Sequence, residues 1–246
     1  MFFNNHVQTI IPFFALLLML KSAFIMAIED IIDLTHPMES NMPVFPGSRL
    51  VNLITSATFE EEGYHEIRID CSTHTGTHID CGYHLLSDGL NTITTPLNHF
   101  YGKGLVADCR NISPGGLISM EFLQQMETEI SYSDFLLIHT GWSQYWGTEG
   151  YFSKFPVLHE DAAIYLTSFN LKGIGSDTIS FDPADSLELP VHHILLSKGL
   201  ILIENLVNLK SLPKHDFRFS CFPLKIKNGD GSPVRAVGIV KSNYEL

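Results

Sequence analysis

The sequence predicts an α/β or α+β domain built on a mixed sheet. Strand-like segments outnumber helical ones, and short helical patterns fall between some of them. Hydrophobic residues make up 45% of the 246 and charged residues only 17%, a globular composition with ample apolar material for a core. No linker divides residues 28–246, so one domain is expected there.

The elements follow in chain order. "IEDIIDLTHPM" alternates like a strand until His36-Pro37 breaks it, and "NMPVFPGSR" is a loop that presents Phe45. "YHEIRIDCS" alternates apolar and polar, which suggests a half-buried strand. "KGLVADCR" is another strand. "SMEFLQQMETEI" predicts a helix with Ser119 as N-cap. "DFLLIHTGW" is a buried strand ending at Gly141, "HEDAAIYLTSFN" a helix and "LKGIGSDT" a short strand. "PVHHILLSKG" reads as a helix with Pro190 in its first turn and Gly199 as its stop. "LILIENL" is a continuous apolar strand. "FRFSCFPLKI" and "SPVRAVGIV" are the last two strands, joined by the turn "KNGDG".

The N-terminus is set apart. "IIPFFALLLML", residues 10–20, has the length of a signal-peptide core rather than of a membrane span. Ser22, Ala23 and Ala27 offer cleavage options, although "MFFNNHVQT" lacks a basic residue. Residues 1–27 are therefore read as a secretory signal or an N-terminal extension, with no stable membrane span and a secreted product. If Met26 is the true start, the protein is cytoplasmic.

Net charge is −12, which argues against a nucleic-acid partner. Cys71, Cys81, Cys109 and Cys221 are too few and too scattered for a disulfide scaffold, and without a CxxC a thiolate zinc site is not expected.

"HTGTHIDCGYH", residues 74–84, packs His74, His78, Asp80 and His84 into eleven positions. Unless something binds them, these groups repel one another when protonated and cost desolvation when buried. In a straight strand His74 and His78 would stand roughly 13 Å apart, too far to share an ion. The intervening Thr75, Gly76 and Thr77 are poor helix formers. A tight non-helical turn is the consistent solution, with Gly76 and Gly82 supplying backbone freedom and threonine hydroxyls bonding nearby groups. Imidazoles plus a carboxylate suit Zn, Mn, Fe or Ni. Two distant residues support a metal: Glu204 interrupts an apolar strand and needs a partner if buried, and His192 starts the helix before that strand.

"HTGTHIDCGYH" closely resembles the HxGTHxDxPxH signature of the metal-dependent cyclase family, which includes bacterial kynurenine formamidases and isatin hydrolases. "DLTHPMESNMPVFPG", "LLIHTGWSQYW", "GIGSDTISFDP", "LPVHHILL", "IENLVNL" and "FPLKIKNGDGSPVRAVGIV" resemble its other blocks in the same order, so the resemblance covers about residues 28–242. It implies a single mixed-sheet domain of swivelling β/β/α, cyclase-like architecture, dimeric or larger. It implies His74, His78 and Asp80 as ligands of a first metal, and Asp80, His192 and Glu204 as ligands of a second. His84 matches the general acid/base and Phe45 an aromatic that packs on substrate. Cys81-Gly82 stand where the family usually has Ala-Pro, and Phe45 where many formamidases have Trp.

The function implied is metal-dependent hydrolysis of a C–N bond in a small amide, with one or two Zn2+ or Mn2+ per chain lowering the pKa of water to supply hydroxide. An aryl formamide such as N-formylkynurenine, a substrate of tryptophan catabolism, leads. A cyclic amide such as isatin is the alternative, and a non-catalytic secreted binding protein is the reading from another class. His65, His99, His139, His159, His193 and His215 are expected to be structural, as are Asp177 and Asp182.

Overall fold

The computed structural model describes residues 29–241, so the expected secretory signal lies outside the described residues. Residues Ile31–Val240 form one compact unit. The strands are β1 (Glu29–Asp33), β2 (Asn52–Ala57), β3 (Glu66–Asp70), β4 (His78–Asp80), β5 (Tyr101–Asp108), β6 (Leu117–Ile118) and β7 (Phe135–His139). They continue with β8 (Val157–Leu158), β9 (Gly173–Ser176), β10 (Ile201–Glu204), β11 (Phe217–Ser220), β12 (Gly231–Pro233) and β13 (Val237–Lys241). The α-helices are α1 (Met120–Gln124), α2 (Glu127–Ser131), α3 (Glu160–Leu166) and α4 (Pro190–Leu196).

Nine strands form one mixed sheet in the order β1-β13-β11-β5-β7-β9-β10-β4-β12. Its centre, β5-β7-β9-β10, is parallel. Antiparallel neighbours flank it, β11 against β5 on one side and β4 against β10 on the other. Both faces of this centre are covered. Leu105, Ala107, Leu136, Ile138, Ile174 and Leu202 pack in one core with Leu123 of α1, Ala163 of α3 and Leu195 of α4. The alternate residues Val106, Phe135, Leu137, Ile201 and Ile203 pack in a second core with Phe217 and Phe219 of β11. A strand buried on both faces reads as a continuous apolar run, which is why "FLLIH" and "LILIE" stand out in the sequence.

Several expectations are corrected. The single helix expected from Ser119 is two short ones, broken at Met126, although Ser119 does cap the first by accepting from the Phe122 amide. The strand β3 forms, but it is exposed throughout rather than half-buried, and it pairs only with β2, which the sequence reading did not identify. Alternation reports that a strand has two faces; it does not report what covers them. "SPVRAVGIV" is not one strand hairpinned to β11. It divides into β12, paired with β4, and β13, paired with β11, far apart in the sheet order. The backbone turns from the one to the other at Val234–Ala236, a span that includes an isolated bridge between Pro223 and Val234.

The loop after β4 is positioned by a close backbone approach. Gly82 opens a 3-10 turn, Gly82–His84, that lies against Gly89. A Cβ on Gly89 would stand 2.3 Å from the Gly82 carbonyl carbon and 2.6 Å from the Tyr83 nitrogen, with only backbone to yield. Gly82 thus serves close packing and not a left-handed turn, while Gly76, at φ +61, does adopt the left-handed conformation. Gly89→Ala should cost about 1–3 kcal/mol by overpacking, lowering the thermal midpoint by roughly 2–4 °C per kcal/mol. An unchanged midpoint in a thermal melt would contradict this packing account.

Candidate metal centre

The left-handed turn at Gly76 reverses the chain before β4, so His74 returns beside His78 with ring centroids 5.3 Å apart. The turn is held by Thr77, whose hydroxyl donates to the Asn205 carbonyl at 2.6 Å and accepts from the His36 amide at 3.0 Å. Within β4 the side chains alternate, placing His78 and Asp80 on one face. The antiparallel register sets Glu204 of β10 opposite His78, and Leu202 opposite Asp80. Helix α4 packs on that same face through Val191 and Leu195, and its first turn delivers His192. Pro190 at the helix start suits this turn because its missing N–H would have no intrahelical partner.

All five residues expected to bind metal therefore meet. The Asp80 carboxylate divides between two groups. Its Oδ1 lies 2.5 Å from His74 Nδ1 and 3.2 Å from His78 Nε2. Its Oδ2 lies 3.6 Å from His192 Nε2, which is 3.1 Å from Glu204 Oε1. His74, His78 and Asp80 can converge on one ion, and Asp80, His192 and Glu204 on another.

The donor chemistry fits divalent cations. The Nδ1 of His78 donates to the Gly76 carbonyl at 2.7 Å, so in the neutral ring Nε2 carries the lone pair. That buried Nε2 has no hydrogen-bond partner, yet it faces Asp80 Oδ1 and Glu204 Oε2, the latter at 3.4 Å. A lone pair aimed at two carboxylates is repulsive unless a cation lies between them. His192 repeats the arrangement: its Nδ1 is bonded to Asp182 Oδ2 at 2.6 Å, and its Nε2 faces Glu204 and Asp80.

With protons as the only cations, the site draws them in. Burial lowers the pKa of His74, but the Asp80 charge and hydrogen bonds to Asp230 and Asp80 outweigh it, raising it to about 10. Burial likewise opposes protonation of His192, and the bonds to Asp182 and Glu204 overcome it, again to about 10. Burial and then the neighbouring Asp80 charge push Glu204 up. Asp80 itself is held well below the carboxylate range, because the His74 and His78 contacts exceed the cost of its burial. A metal ion would replace these protons.

His84 stands beside the first group, its ring centroid 4.0 Å from that of His74. Burial lowers its pKa, more than Asp80 raises it, which favours the unprotonated ring that can accept a proton. Phe45 lines the same cavity of about 430 Å³ as the ionisable groups, together with Val44, Ile179 and Leu189. It packs against the cluster of Trp142, Tyr151, Phe155 and Ile179.

Three further groups went unrecognised in the sequence. Asp182, expected to be structural, binds His192 directly and also accepts from the Val191 and His192 amides. Asn205 donates to the Gly76 carbonyl at 2.8 Å and accepts from the buried Tyr151 hydroxyl at 2.7 Å, bracing the acceptor of His78. Asp230, within the "KNGDG" turn, reaches His74 Nε2 at 3.0 Å. No local spacing signals these partners, because each is brought in from a distant segment. Asp177, by contrast, is structural as expected: it accepts from the Thr140 amide and hydroxyl and the Gly141 amide. The four cysteines are free, so no disulfide supports the site.

Comparison with known proteins places the chain in a family. The Cyclase family model, described as "Putative cyclase", matches residues 32–183. A kynurenine formamidase of Bacillus cereus is 31% identical over 213 residues, which cover 86% of this chain and 98% of that protein. Among solved structures, an isatin hydrolase bound to the product analogue thioisatinate has a TM-score of 0.81 at 24% identity, covering 93% of this chain and 98% of that one. A "predicted metal-dependent hydrolase" from Bacillus stearothermophilus has a TM-score of 0.70 at 29% identity, covering 87% and 99%. The isatin hydrolase likeness bears on the fold, which is the mixed α/β arrangement the sequence implies. With the family model matching more than half of it and a relative of near-equal span, the chain belongs to the cyclase family.

Proposed function

We propose that this protein hydrolyses the C–N bond of a small amide, with an aryl formamide such as N-formylkynurenine as the lead substrate. The observation that carries the reading is the Asp80 carboxylate shared between two donor groups, His74 with His78 and His192 with Glu204. Those residues would hold two divalent ions, Zn2+ or Mn2+. When bound, such ions act as Lewis acids that polarise a carbonyl and lower the pKa of water.

The chain's own residues do the rest. His78 and His192 are presented with their lone pairs inward by Gly76 and Asp182. His84, at the cavity wall and with its unprotonated form favoured by burial, takes a proton from water and returns it to the leaving nitrogen. Phe45, Val44 and Ile179 offer an apolar wall on which an aromatic ring packs, leaving the scissile group toward the histidines. The cavity has the size of small-molecule sites, and among its described lining residues there is no Lys or Arg. That composition suits an aryl amide of no net charge, which includes zwitterionic N-formylkynurenine as well as isatin. A cyclic amide such as isatin is the second reading, supported by the fold shared with an isatin hydrolase.

A panel of formanilide, N-formylkynurenine and isatin, each with added Zn2+ or Mn2+, tests the reaction. Turnover of a formamide that is abolished by a chelator and restored by metal is expected. Absence of turnover on every member would contradict the reading.

The roles of His78 and His84 separate by mutation. His78→Ala should lower both bound metal and rate. His84→Ala should keep its metal while kcat falls about 10²–10⁴-fold, the range for losing a general acid/base, with little change in KM. Loss of one metal equivalent in His84→Ala, measured by elemental analysis, would instead make His84 a ligand.

A homo-oligomer, a dimer or larger, is part of this proposal. The β2–β3 hairpin stands as its own two-stranded sheet and exposes Ile67 and Ile69 on one face, Ile54 on the other and Phe59 in the connection between the strands. A lone hairpin is marginally stable in water, and apolar residues gathered on it call for a cover, which a second copy supplies. Light scattering should report an oligomer that Ile67→Glu with Ile69→Glu weakens; a monomeric wild-type protein would contradict it.

A further inference from the structure

The "KNGDG" turn is built tightly against the first donor group. A Cβ on Gly231 would stand 2.8 Å from His74 Cε1 and 2.5 Å from the Ile79 carbonyl oxygen, so only glycine lets the turn approach this closely. The preceding residue, Asp230, is anchored at both ends. Its carbonyl accepts from the Cys81 amide at 2.8 Å. Its Oδ1 accepts from the Thr73 hydroxyl at 2.9 Å and the Gly231 amide at 3.1 Å. That leaves Oδ2 directed at two imidazoles: it lies 3.0 Å from His74 Nε2 and 3.7 Å from His84 Nδ1.

The same pattern already governs the other two histidines of the centre. In each, one ring nitrogen is fixed by an outer acceptor, Gly76 O for His78 and Asp182 for His192, while the other faces Asp80 and Glu204. Outer acceptors of this kind fix the tautomer and ring orientation of a metal-ligating histidine and raise its basicity. His74 has its Nδ1 toward Asp80 and its Nε2 toward Asp230.

We infer that Asp230 is a positioning residue that acts on both imidazoles at once: its Oδ2 holds His74 with Nε2–H outward and Nδ1 toward the metal, and stations the His84 ring beside it. This rests on the proposed metal-dependent reading but adds a residue to it. Because the His74 and His84 rings lie tilted at 37° with centroids 4.0 Å apart, a single carboxylate oxygen facing a nitrogen of each sets the spacing between a ligand and a proton carrier. The side chain of Asp230 is partly exposed, so it does its work at the cavity mouth and not in the core.

The test compares wild type with Asp230→Asn and Asp230→Ala by competition for Zn2+ against a chromophoric chelator, with thermal melts of the metal-free proteins alongside. Asp230→Ala should bind Zn2+ about 10–100-fold more weakly, the range for losing such a partner. Asp230→Asn, whose amide oxygen still accepts from Nε2–H, should fall between it and wild type. Asp230→Ala should also lower the metal-free midpoint, because it gives up the Thr73 bond and the pairing with protonated His74. Thr73→Val, which removes only the Oδ1 anchor, is the structural control and should keep wild-type Zn2+ affinity. With metal saturating, Asp230→Ala should lower kcat more than it raises KM, and adding it to His84→Ala should cost less than it does in wild type. Wild-type Zn2+ affinity in Asp230→Ala would overturn the inference. So would an equal loss of affinity in Thr73→Val and Asp230→Ala, which marks a merely structural residue, or the loss of a whole metal equivalent, which marks a ligand of a separate site with His74 and His84. The binding arm needs no substrate, so failure of the amide panel leaves it intact. A wild-type protein that takes up no Zn2+ fails the underlying reading itself.

Discussion

The Asp80 carboxylate is buried with one oxygen toward His74 and His78 and the other toward His192. Beside it lies a second buried carboxylate, Glu204. Two such charges in one low-dielectric pocket are costly unless cations compensate them, and removing the compensation strands a charge in the interior. Most of the surrounding architecture can be understood as holding this pair in place. The β4–β10 register puts Glu204 opposite His78, the parallel centre carries β10, and α4 lays His192 over the same face.

Rigidity comes from the two cores on either side of the sheet. Ile79, between His78 and Asp80, points to the opposite face and packs with Ile201, Ile203 and Leu206, so the three-residue strand is pinned from behind. Around the site, the outer partners of the histidines come from separate segments: the Gly76 carbonyl braced by Asn205, Asp182 ahead of α4, and Asp230 in the last long turn. Convergence from separate parts of the chain ties the site's geometry to the integrity of the whole fold.

That convergence also explains what the sequence revealed and what it concealed. His74, His78, Asp80 and His84 were legible because the motif is local, and Glu204 because a carboxylate in an apolar strand is conspicuous. The buried strands of the centre were legible because strands covered on both faces leave unbroken apolar runs, but their parallel pairing was not. The motif's own conformation was only half legible: the turn at Gly76 was foreseen, but β4 proved to be a strand whose alternation serves the site directly. Asp182, Asn205 and Asp230 were missed because an acidic or amide residue in a loop looks the same whether it meets solvent or a histidine. Strand β3 shows the converse limit, since its apolar alternation is real and yet it is exposed throughout among the described residues.

The most direct test of the central claim is anomalous diffraction at a metal edge from crystals grown with Zn2+ or Mn2+. The account predicts two anomalous peaks, one on each side of the Asp80 carboxylate, among His74 and His78 and among His192 and Glu204. Crystals with no peak at Asp80 despite saturating metal, or with metal bound only elsewhere, would contradict it.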